Sequence, residues 1–200
     1  MKKIAIVALL SAFAAVPAVA ADMYAAIDLG SVSYSNANGG PTGTTAFKNP
    51  GTIRIAGGSQ INQNLGVEIG YSIIGESVID TSIVIFDPFL GLASLSAKET
   101  LKTSSFQAVV VGTAPINDML SIFGKLGLAN TQIDYKLSSN FGLSASGSGS
   151  KSNLMFGIGG QYLMSKQLAI RAQYEDFGKI TVGTVDIGVK AVSVGAVFGF

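Results

Sequence analysis

Six charged residues stand out by where they fall in the sequence: Asp28, Arg54, Glu68, Lys125, Arg171 and Glu175. Each sits in a segment that alternates apolar with small or polar residues, always on the non-apolar side. Around Glu68, the residues Leu65, Val67, Ile69, Tyr71 and Ile73 share one side, and Gly66, Gly70 and Ser72 share the other. Ile122, Leu126 and Leu128 oppose Phe123, Lys125 and Gly127. Leu154, Phe156, Ile158 and Tyr162 oppose Gly157, Gly159 and Gln161. Ile170, Ala172 and Tyr174 oppose Arg171, Gln173 and Glu175, while Ile53 and Ile55 oppose Arg54, and Ile27 and Leu29 oppose Asp28. Successive side chains of a strand point to opposite faces, so three acids and three bases share one face. The chemistry this allows is ion pairing.

Little other chemistry is available. The chain has no histidine and no cysteine, which removes the commonest general base, the thiol nucleophile and the imidazole or thiolate ligands of a metal. Asp80 and Asp87 are a carboxylate pair on paper, but Asp87 precedes Pro88, a turn-forming arrangement. Gly157-Ile158-Gly159-Gly160 lacks the lysine and following helix of a phosphate loop. Its glycines instead give neighbouring strands room. No catalytic, cofactor or metal-binding residue is expected, and the protein is not expected to be an enzyme.

The elements that must position the six charges are strands. Alternation marks Met23 to Ser35, Gly51 to Ser59, Leu65 to about Glu76, Lys98 to Gly112, Met119 to Asp134, Leu154 to Met164, Leu168 to Phe177 and Asp186 to Phe200. Short turns follow strands two, four and six. Longer connections follow one, three and five, including Asn36 to Gly43 and a Ser/Gly loop from Ser138 to Ser152. The predicted fold is all-β: an eight-stranded antiparallel up-and-down transmembrane β-barrel whose long-short alternation matches outside loops and periplasmic turns. Glycines crowd the polar side and an eight-stranded lumen is narrow, so the apolar face is predicted to meet lipid.

Composition agrees. Met1-Lys2-Lys3, an apolar run from Ile4 to Val16, and Pro17 before Ala18-Val19-Ala20-Ala21 form a secretory signal pattern. Residues 1–21 are expected to be cleaved after Ala20 or Ala21, leaving 22–200 as one barrel domain. Without Lys2 and Lys3, the 13 basic residues fall to 11 against 12 acidic; no basic excess exists for nucleic acid. Only 12% of residues are charged, against about 25% in soluble domains, and mean hydropathy is +0.47. Yet beyond the signal no run of about 18 apolar residues appears. The last strand sets Val192, Val194, Ala196, Phe198 and Phe200 on one face, a row suited to lipid with its final ring in the interfacial aromatic girdle.

Gly58-Ser59-Gln60-Ile61-Asn62-Gln63-Asn64-Leu65-Gly66-Val67-Glu68-Ile69-Gly70-Tyr71 resembles the second hairpin of the OmpA-type transmembrane domain. Lys125-Leu126-Gly127, Gly159-Gly160-Gln161-Tyr162 and Arg171-Ala172-Gln173-Tyr174 resemble its fifth, sixth and seventh strands. The resemblance implies a Gram-negative outer-membrane location with both termini periplasmic. It also implies that Phe198 and Phe200 act as an assembly signal for the barrel machinery, with periplasmic chaperones as further partners. No peptidoglycan-binding domain is expected after Phe200. Glu68 and Arg171 are implied to pair, and exchange of such partners is linked in that family to a small pore opening. Strand four, however, reads Gln107-Ala108-Val109-Val110-Val111, with no lysine at the alternative position. The lumen charges are therefore expected as a plug, or alternatively as the lining of a conducting path.

Between strands three and four, Val78 to Leu92 is very apolar for a loop. Either the two strands extend beyond the membrane, or Ile83, Ile85, Phe86, Phe89, Leu90 and Leu92 form a contact surface or a route for apolar solutes. The function expected is structural and surface-contacting, for a monomer in outer-membrane lipid whose surface ligand stays open. The alternatives are a narrow, porin-like passive channel and a soluble secreted barrel binding a ligand inside.

Overall fold

A computed structural model describes residues 23–36, 49–87, 91–140, 144–182 and 185–200, without the side chains of 79–95, 97, 182 and 185. Eight antiparallel strands among these residues close into one barrel: β1 (Met23–Asn36), β2 (Gly51–Asn62), β3 (Leu65–Asp87), β4 (Gly91–Pro115), β5 (Leu120–Ser139), β6 (Ser144–Leu163), β7 (Leu168–Val182) and β8 (Val185–Gly199). Each strand pairs with its neighbours in sequence, and β1 closes on β8 from Tyr24↔Gly199 to Asn36↔Ile187. Closure leaves no free edge around the ring, the condition for a sheet to survive in lipid.

The three short turns gather at one end. Each is fixed by a side chain that accepts backbone N–H groups: Asn62 from Asn64 at 2.9 Å, Asn117 from Met119 and Leu120 at 2.9 and 2.8 Å, and Ser165 from Leu168 at 3.1 Å. Such local bonds favour Asn and Ser in tight turns. Both ends of the barrel sequence meet there too, where Phe200 donates its N–H to Met23 at 2.9 Å.

At the other end the strands run longer than their alternation suggested. The segment expected as a long connection is strand: β3 and β4 stay paired up to Asp87↔Gly91. The pairing of β4 with β5 stops at Ala97↔Ser139, so the last part of the β3–β4 hairpin is a two-stranded ribbon among the described residues. The backbones of Ile83, Ile85, Phe86 and Leu92 belong to it, paired Ile83↔Leu95, Ile85↔Ala93 and Phe86↔Leu92. Phe89 and Leu90 lie outside the described residues. The Ser/Gly loop expected from Ser138 to Ser152 is likewise mostly hairpin, paired to Ser138↔Ser144. Periodicity fails there because both faces are exposed from Ser144 to Gly147, so no face selects apolar residues.

The side chains segregate as predicted. Leu126, Leu154 and Ile158 are 63%, 71% and 65% exposed on the outside, whereas Asp28, Glu68 and Lys125 are 0–3% exposed within. A soluble barrel needs the opposite arrangement, so the soluble ligand-binding alternative is overturned. A charge on the outer face at the bilayer midplane would cost about 2–4 kcal/mol.

Candidate functional site: the charged lumen

All six charges singled out from the sequence meet in one buried network. Glu68 is its hub. One carboxylate oxygen accepts Lys125 Nζ at 2.9 Å together with Arg54 Nη2, and the other accepts Arg171 Nη1 at 2.8 Å and the Tyr24 hydroxyl at 3.1 Å. Asp28 accepts Arg54 Nη1 at 2.9 Å and a bidentate pair from Arg171, Nε at 2.7 Å and Nη2 at 2.6 Å. Glu175 lies 3.3 Å from Lys125 Nζ and 3.7 Å from Arg54 Nε. Three carboxylates thus face three cations, so the layer is formally neutral.

Glycine decides which strands can exchange charges. Asp28 on β1 and Arg171 on β7 are both registered to Gly195 of the intervening β8. Tyr24 and Glu68 flank Gly58 of β2, and Lys125 and Glu175 flank Gly157 of β6. With no side chain on the middle strand, groups two strands apart meet across it. A Cβ at Gly195 would run into the Asp28 carboxylate, and one at Gly58 into the Tyr24 ring. The glycines of the polar face are therefore as much a part of the network as the charges.

Two glutamines complete the network: alternation places Gln173 on the charged face, and sequence reasoning missed Gln107. Gln107 accepts Arg54 Nε at 2.8 Å and donates to Ser72 at 2.8 Å. Gln173 accepts Lys125 at 2.7 Å and donates to Ser193 at 3.2 Å. Gln173 shares the parity of Arg171 and Glu175, whereas the charges of β4, Lys98, Glu99 and Lys102, fall on both faces and offer no such signal for Gln107. The pair implied by the resemblance, Glu68 with Arg171, is present. In place of an alternative partner on β4, Glu68 holds Arg54, Lys125 and Arg171 at once.

The lumen changes character on either side of this layer. Toward the long-strand end it is packed by Val32, Ile74, Leu101, Ile133, Met155, Phe177, Ile180 and Val189, none more than 4% exposed. Toward the short-turn end a cavity of about 390 Å³ opens beneath Tyr24, Lys125 and Arg171. Phe198 and Phe200 are on the outer face at that end, 46% and 81% exposed.

A closed eight-stranded barrel with a lipid-type belt outside and paired charges inside is a transmembrane barrel of the outer-membrane kind. Residues 5–200 match the outer membrane protein beta-barrel domain. The chain belongs to that family, and it is an outer-membrane protein with transmembrane strands. No curated protein sequence matches it. Among solved structures it is similar to Ail, the attachment invasion locus protein of Yersinia pestis, at 21% identity, covering 89% of this chain and 99% of that one with a TM-score of 0.55. It is also similar to Neisserial surface protein A, at 15% identity over 89% and 97% of the two chains, TM-score 0.60. The outer membrane protein OprG of Pseudomonas aeruginosa is 11% identical over 90% and 96%, TM-score 0.52. At these identities the likeness is one of fold.

Proposed function

We propose that this protein is a closed, non-enzymatic barrel that contributes to envelope integrity and offers its long hairpins, β3–β4 above all, as a contact surface. In this reading residues 1–21 are a cleaved signal and both termini face the periplasm. Phe198 and Phe200 present the assembly signal to the barrel machinery, and the protein works as a monomer in outer-membrane lipid. The observation that carries it is the double closure of the lumen. All six charges of the central layer are partnered at 3.3 Å or closer, and an apolar layer lies beyond them. Water and ions would have to break buried pairs and then enter an apolar constriction, which resists wetting.

Planar-bilayer recording tests the reading. Wild type, Glu68→Ala and Arg171→Ala are expected to give no steady conductance, because removing one charge leaves the apolar layer intact. Steady conductance of wild type would replace this proposal with the narrow-channel alternative. Deleting residues 82–92 is expected to spare assembly, judged by heat-modifiable gel mobility, while abolishing surface contact with host or neighbouring cells. A deletion that prevents assembly would make the ribbon a folding element instead.

A further inference from the structure

The side-chain charges that line the cavity at the short-turn end are of one sign. Lys125 and Arg171, both almost fully buried, close it on the network side and Lys166 lines it from the β6–β7 turn, and no Asp or Glu side chain lines it among the described residues. Asp28, Glu68 and Glu175 lie behind the cations, so a molecule entering from this end meets the positive groups first. Arg171 uses three N–H groups on Asp28 and Glu68, and a guanidinium has five. Gln60 is also among the lining residues, although its Oε1, which has no hydrogen-bond partner, is itself buried. Val111, Phe123 and Leu163 also line the cavity. At about 390 Å³, the space lies within the range of small-molecule sites, roughly 300–1,000 Å³.

We propose that this inner vestibule is a binding site for a small organic anion. Its carboxylate points at Arg171 and Lys166, and its apolar body lies against Phe123 and Leu163. The carboxylates behind Lys125 and Arg171 offset part of their field, so affinity is modest and falls with salt. The site is independent of the outer hairpins and does not require the lumen to conduct.

The test uses the full barrel refolded in zwitterionic micelles, with amide NMR shifts followed during titration. Benzoate is the probe, benzamide the body without the charge, and inorganic phosphate the charge without the body. Benzoate is expected to give saturable shifts at Thr113, Gln161 and Lys166, and benzamide and phosphate to bind at least about fivefold more weakly. Lys166→Gln, at an exposed turn position that leaves the barrel intact, is expected to weaken benzoate about two- to fivefold, the range of an exposed ion pair. Absence of saturable benzoate shifts, equal binding of benzamide or phosphate, or an unchanged Lys166→Gln affinity would overturn the site.

Discussion

The central and outer parts of the lumen fill the same narrow cross-section by opposite means. In the centre, long charged side chains reach across glycines and bind one another, and the barrel wall around them is fully paired. Toward the long-strand end, Ile133, Met155, Phe177 and Ile180 pack in an apolar cluster beside the Tyr34–Thr103 hydrogen bond, and the wall is less complete. There β6 and β7 stop pairing at Phe156↔Asp176, and β2 and β3 at Thr52↔Ile74. Bulges follow at Ile74/Ser77 and Asp176/Lys179, the second containing Gly178 at φ 78°, a conformation that favours glycine. Across the β6–β7 seam Asn153 Nδ2 donates to the Lys179 carbonyl at 2.8 Å. Where backbone pairing holds the ring, the interior can carry charge. Where it does not, apolar packing holds the interior together.

Breaking the central layer should have the largest effect. Glu68→Ala strands three cations with fewer acceptors, and removing one partner from a buried ion pair costs about 3–5 kcal/mol. Urea unfolding from lipid vesicles should show a loss of that order. Replacing Glu68 together with Arg171 by apolar residues of similar volume should restore part of it, since paired removal leaves less charge uncompensated. A Glu68→Ala barrel as stable as wild type would mean that the network is ornamental.

The outer layer comes next. Phe177→Ala should cost about 3–5 kcal/mol if the site cannot collapse, toward the lower end if the unpaired β6–β7 seam lets the wall relax. Amide hydrogen exchange sharpens the comparison: Phe177→Ala should accelerate exchange in 177–182 and 144–155 while leaving 65–73 and 120–128 protected. Uniform acceleration would show that the two layers unfold as one unit.

Gly195→Ala probes the join between charge and backbone. The added methyl meets the Asp28 carboxylate and the Ile27 carbonyl, an overpacking expected to cost about 1–3 kcal/mol in the same unfolding assay. Gly199, where a Cβ meets nothing within 4 Å, is the control and should tolerate alanine.

The central layer was legible in the sequence because lipid outside imposes strict alternation: Val67, Glu68 and Ile69 cannot exchange faces without placing a carboxylate in the bilayer. Gln107 was harder to see. It lies among Val109, Val110 and Val111, and only the pairing of β4 with β3 shows that it faces Ser72 and Arg54. The outer hairpins were least legible. Beyond the belt the two faces of Ser144 to Gly147 have the same surroundings, so no periodicity separates strand from loop. The β3–β4 ribbon was obscured for the opposite reason, since Ile83 to Phe86 is apolar at every position and carries no alternation to read.

The smallest effect belongs to the same ion-pair chemistry moved out of the lumen. Glu76 and Lys102 lie beyond the apolar belt, 2.5 Å apart and both about half exposed. The Lys102 ammonium, first by its hydrogen bond and then by its charge, holds the Glu76 carboxyl below the usual carboxylate range. A folded-state value below the unfolded one means the contribution is present above the ordinary carboxylate pKa and lost as pH falls through the lowered one. Between neutral pH and the ordinary carboxylate range, Glu76→Gln should shift the unfolding midpoint slightly. Below the lowered pKa, or in molar salt, the difference should vanish, because water and ions screen an exposed pair. Salt should leave the Glu68→Ala deficit largely in place, since buried pairs are screened much less. If salt erased both deficits equally, solvent would be reaching the central layer, and the closed-lumen reading would fall with it.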